Sequence, residues 1–103
     1  MIRFAILTSK DRNEVLSCVR DTILKSGGWV VDQTLFSNMA ASISFELSAG
    51  AFKTFQDTLA NEGIIAGSEH LPDASQKGDI RAIISMTFSH DEPDLRREVP
   101  PFG

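Results

Sequence analysis

From position 41 onward Ala41, Ile43, Phe45 and Leu47 alternate with Ser42, Ser44, Glu46 and Ser48. A period of two puts the apolar set on one side of an extended chain, which a half-buried strand can use and a helix cannot. Just before it, Trp29, Val31, Gln33 and Leu35 alternate with Val30, Asp32, Thr34 and Phe36, and neither set is wholly apolar. The short link through Asn38, a residue that tolerates positive φ, joins the two runs as an antiparallel hairpin.

The remaining segments fall around that hairpin. Positions 2–8 read as a strand with Ile2, Phe4, Ile6 and Thr8 on one side and Arg3, Ala5 and Leu7 on the other. Its two largely apolar sides predict an interior position. Asp11 with Glu14 three residues later is a capping-box pattern, opening a helix over 12–26. Val15, Cys18, Val19, Thr22 and Ile23 form its buried stripe, with Leu16 and Leu24 at the border. Gly27-Gly28 stops it. A second helix over 51–62 buries Phe52, Phe55 and Leu59 and stops at Gly63. A short strand with a bend at Gly67 fits within 64–71. At 79–88 Ile80, Ala82, Ile84, Met86 and Phe88 alternate with Arg81, Ile83, Ser85 and Thr87, giving a last strand.

The order strand, helix, strand, strand, helix, strand is a split βαβ unit repeated around the hairpin. The expected fold is therefore α+β: a ferredoxin-like βαββαβ sandwich, a four-stranded antiparallel sheet with two helices on one face, with 64–71 either an extra short strand or an irregular approach to the last one. The domain covers 1–90, and 91–103 reads as a charged, proline-rich tail. The other sheet face is only partly polar, which predicts dimerisation or cover by the tail.

Composition narrows the function classes. With 103 residues the chain holds one modest core. Apolar residues at 42% and charged residues at 23% are ordinary for a soluble globular protein and wrong for a disordered one. A net charge of −4 with scattered Lys and Arg gives a phosphate backbone no patch to bind, so nucleic acid is not an expected partner. The single Cys18 excludes an internal disulfide and fits a reducing compartment. No apolar run is long enough for a bilayer or a signal peptide, so no membrane partner is expected and the cytoplasm is the expected location.

A family resemblance rests on a hydrophobic first strand followed by Asp11-Arg12, on Ser26-Gly27-Gly28 ending the helix, and on Val31-Asp32 in the next strand. Over roughly positions 2–71 the chain resembles ACT-domain proteins, in particular small bacterial ones related to the glycine-cleavage regulator. The resemblance implies a homodimeric regulatory module that binds a small effector such as an amino acid. In that family the loop after the first strand closes against the start of the second strand at a dimer interface. The chain departs from the pattern at Asn13 and Glu14, where the family carries proline and glycine, and at Trp29, where it carries asparagine.

The candidate ligand site joins Ser9, Asp11, Arg12, Asn13 and Trp29: helix amides for an anionic group, Asp11 or Asn13 for an ammonium or hydroxyl. Capping and packing are the competing roles for the same residues. Cys18 lies on the apolar stripe with no catalytic partner beside it in sequence. His70 and His90 can approach one another if the segment between them is a hairpin, but a metal would need further ligands, and Asp91, Glu92 and Asp94 read as a solvated acidic cluster, so neither a metal nor another cofactor is expected. The leading expectation is a non-enzymatic regulatory or small-molecule-sensing homodimer. An interaction module without a natural small ligand, and a small enzyme with a cleft at Asp11, His70 or His90, are the alternatives.

Overall fold

The computed structural model describes residues 1–68, 70–73 and 75–89; His90 and the segment read as a tail lie outside the described residues. In chain order the elements are β1 (Ile2–Thr8), α1 (Arg12–Lys25), β2 (Trp29–Ser37), β3 (Ala40–Ser48), a single 3-10 turn (Ala49–Ala51), α2 (Phe52–Asn61), β4 (Gly67–Ser68) and β5 (Asp79–Phe88). The fold is α+β, with two helices and one five-stranded mixed sheet ordered β2-β3-β5-β1-β4.

This corrects the expected four-stranded antiparallel sheet. The last strand does not close the sheet from outside β1. It lies between β1 and β3, parallel to β1 from Ile2 opposite Ala82 to Thr8 opposite Phe88, and antiparallel to β3 from Ala40 opposite Thr87 to Ser48 opposite Asp79. The outer place beside β1 goes to the two residues of β4, through Phe4 opposite Ser68 and Ala5 opposite Gly67. With β5 left out, the order β2-β3-β1-β4 is that of the expected sandwich. The physical reason is length and polarity. Ten residues of β5 bury Ala82, Ile84, Met86 and Phe88 completely or nearly so and half-bury Ile83 on the other side. Such a strand is best placed where both of its edges are hydrogen-bonded.

The covered face packs as one layer. Ile2, Phe4 and Ile6 of β1, Ile43, Phe45 and Leu47 of β3, and the buried set of β5 meet Val15, Val19 and Ile23 of α1 and Phe52, Phe55 and Leu59 of α2 in a single core. Four phenylalanines form its centre. Phe55 lies 5.1 Å from Phe45 and 5.7 Å, edge-on, from Phe4, with Phe52 stacked on Phe4 at 6.1 Å. Both helices therefore lie on the same side of the sheet, as their apolar stripes predict.

Local chemistry sets the helix ends. Asp11 accepts from the Glu14 amide at 3.1 Å, while the Gly27 and Gly28 amides return to Leu24 and Ile23 carbonyls. Gly27 has φ +90, the left-handed conformation that ends α1. In β2 the structure departs from simple alternation. Bulges at Val31 and Phe36 reset the ladder, so Val30, Gln33 and Leu35 share the helix side, and Trp29, Asp32 and Thr34 the other.

Candidate functional site

The loop from Ser9 to Asn13 is held by its own neighbours. The Asp11 carboxylate is taken by the helix amide, and Arg12 Nη1 donates to Asn38 Oδ1 at 3.2 Å, tying the start of α1 to the hairpin turn. Ser9 and Asn13 are exposed. Trp29 begins β2 opposite Glu46 and is 45% exposed on the uncovered face. The 14 residues of α1 at about 1.5 Å each separate Trp29 from that loop by roughly 21 Å. Within one chain the structure thus brings Asp11 and Arg12 together with Asn38, and sets Trp29 at the other end of the sheet. Neither of the two depressions described next is lined by these residues.

One depression, of about 320 Å³, lies between the outer sides of α1 and α2, among Glu14, Cys18, Asp21, Lys25, Thr58 and Glu62. Cys18 is half-buried there. Burial pushes its thiol up from the ordinary value and the Glu62 and Asp21 carboxylates add to this, against a lowering by Thr22 and Lys25. A thiol kept protonated is a weak nucleophile, which argues against covalent chemistry at Cys18. Among the described residues no cluster of three or more His, Cys, Asp and Glu side chains stands ready for a metal ion. His70 is exposed, and the proposed approach of His70 to His90 falls outside the described residues.

A second depression, of about 600 Å³, opens on the uncovered face where β1 meets β4. Arg3, Ala5 and Ser85 line it from the sheet, Gly67 and Ser68 from β4, and His70 from the segment that follows. It exists because β4 is only two residues long and because Ala5 and Gly67, paired across the ladder, carry almost no side chain. Sequence reading passed over it: Arg3 looked like an ordinary charge near a strand end, and its neighbours come from three separate segments.

The third feature is an edge. Nine large apolar side chains are exposed among the described residues, and five of them, Trp29, Val31, Leu35, Phe36 and Met39, belong to β2 and its turn. β2 has no neighbour on its outer side among the described residues. Such a concentration on one strand marks the edge out from scattered surface apolar residues. Arg20 Nη1 donates to Gln33 Oε1 at 2.9 Å and, with the Arg12–Asn38 bond, ties α1 to this strand.

The fold and these features define a small α+β domain with one sheet face covered by the helices, the other uncovered among the described residues, and a long apolar edge. No family model matches the chain, and no curated protein or solved structure matches it. Among the described residues no helix is long and apolar enough to cross a membrane.

Proposed function

We propose that the protein is a non-enzymatic interaction module that acts as a homodimer, with two copies joined through β2. The observation that carries this is the arrangement of apolar residues along the strand. A two-fold axis at Gln33 sets Asp32 against Thr34 of the second copy, residues that share a side of the sheet, and brings the exposed Val31 and Leu35 of the two copies to one seam. The exposed apolar residues of the strand then cover one another twice. Edge strands left open with this much apolar surface associate unless something protects them, and an isologous pairing satisfies the outer amides and carbonyls at the same time.

The regulatory, small-molecule-sensing form of this reading is supported by the ACT resemblance and by the same symmetry. Pairing about Gln33 carries Trp29 of one copy to the end of the strand that holds Asn38 and Arg12 of the other. The effector in that form is a small polar molecule such as an amino acid, seated between the two copies near Ser9, Asp11, Arg12 and Asn13.

Sedimentation equilibrium of the full chain tests the dimer. A dimer that becomes a folded monomer in Phe36→Asp, with circular dichroism unchanged, supports it. A monomeric wild type, or a dimer indifferent to Phe36→Asp and Val31→Asp, overturns it. Calorimetry of amino acids against the dimer tests the effector, and binding that survives both Trp29→Ala and Arg12→Ala removes it from this site.

A further inference from the structure

In the β2 dimer, on which this site depends, Gln33 lies at the two-fold axis. It faces the helices, opposite the fully buried Ile43 of β3. Its Oε1 accepts from Arg20 Nη1 at 2.9 Å, so α1 holds a guanidinium over this point of the strand. Antiparallel strands bring facing Cα atoms to within about 5 Å, and the axis therefore gathers two Arg20–Gln33 pairs, one from each copy. The bond to Gln33 uses one of the five N–H donors of each guanidinium. The carboxylates of the two elements involved point elsewhere. Glu14 and Asp21 of α1 line the groove toward α2, and Asp32 of β2 takes the other side of the sheet opposite Ser44. Like charges brought to one axis repel, and a ligand with a negative charge for each copy removes the repulsion.

The surroundings narrow the anion. Leu35, two residues beyond Gln33, is 52% exposed, and Leu24, one turn beyond Arg20 on α1, is 60% exposed. Two cations, one on each side of the axis, thus stand among apolar side chains. A guanidinium holds one carboxylate by two parallel hydrogen bonds, so the pair matches a short molecule with a carboxylate at each end and methylenes between. We propose that the dimer binds one small dicarboxylate on its two-fold axis, between the Arg20 side chains of the two copies, and that this ligand tightens the dimer. Neither copy holds the site alone.

The test is sedimentation equilibrium of the full chain in succinate, inorganic phosphate and chloride at matched ionic strength, with calorimetry of succinate for stoichiometry. The expected result is one succinate per two chains. At a concentration ten times its own dissociation constant, succinate should lower that of the dimer about tenfold, as for a ligand that only the dimer binds. Arg20→Gln keeps the dimer in chloride and loses the response to succinate, whereas Arg20→Lys, which keeps the charge, retains part of it. The monomeric Phe36→Asp chain shows no saturable uptake. No tightening by succinate, equal or greater tightening by phosphate or chloride, one succinate per chain, or a response that survives Arg20→Gln would each overturn the site and leave the dimer in place. A wild type that is monomeric in all three solutions overturns the dimer and the site together.

Discussion

The two faces of this sheet are made by the same strands and differ in almost every physical respect. Toward the helices, Ile43, Phe45, Leu47, Ala82 and Ile84 are fully buried and the aromatic rings interlock. On the reverse, the residues in between are Ser42, Ser44 and Glu46 on β3 and Arg81, Ile83, Ser85 and Thr87 on β5. The first face stabilises the domain through apolar area and close packing. The second is a platform of small and polar groups that carries the Arg81–Glu46 ion pair.

The largest expected effect tests that division directly. Phe45→Ala removes a fully buried ring that touches three other phenylalanines, and urea denaturation should show a loss of about 3–5 kcal/mol. Ile83→Ala, two positions from Arg81 on the uncovered face, should cost only about 1 kcal/mol, because the side chain is half-exposed. Comparable losses at the two positions would mean that the reverse face is packed in solution and would break the contrast.

A second comparison sharpens how the helix layer is joined to the sheet. Gly27 and Gly28 are adjacent, but they serve different needs. A Cβ on Gly28 would lie 2.3 Å from the Glu46 carbonyl oxygen and 2.9 Å from Leu47 Cδ1, so β3 or the end of α1 must shift. Gly28→Ala should therefore cost about 2–3 kcal/mol, the upper part of the range for overpacking. Gly27→Ala meets open space and is penalised only by its left-handed backbone, about 1 kcal/mol. Thermal melts of the two variants give the order, and the reverse order would place the strain in the turn rather than in the contact with β3.

Much of the layer structure could be read from polarity alone, and the sheet order could not. Alternation in β3 and β5 states which side each residue takes, and the interval pattern in α1 and α2 states which stripe is buried. Neither says which strand is a neighbour. Asp79–Phe88 reads the same whether it borders β1 alone or lies between β1 and β3. Its two-sided apolar character at Ile83 was the available hint. In β2, bulges at Val31 and Phe36 move residues across the sheet without any glycine to announce them. The candidate site met the same difficulty. Asp11 and Arg12 were correctly placed at the start of α1, yet their distance from Trp29 depends on helix length and strand direction. The Arg3 groove depends on β4 pairing with β1, which two residues of sequence cannot specify.

The smallest effect concerns the outer side of the helix layer, where Cys18 borders neither face of the sheet. Its thiol is held above the ordinary value first by burial and then by the Glu62 and Asp21 carboxylates, so folding favours the protonated form. The sign follows from linkage: this contribution to stability is complete below the pKa of the unfolded thiol and is lost as pH rises through the folded value. Alkylation by iodoacetamide reads the thiolate directly. At pH 8 it should run slower than for free cysteine, with a rate–pH midpoint displaced upward, and Glu62→Gln should move that midpoint part of the way back. A midpoint below the free thiol's would mean that Lys25 and Thr22 outweigh burial, and the groove between the helices would then have a reactive cysteine rather than an inert one.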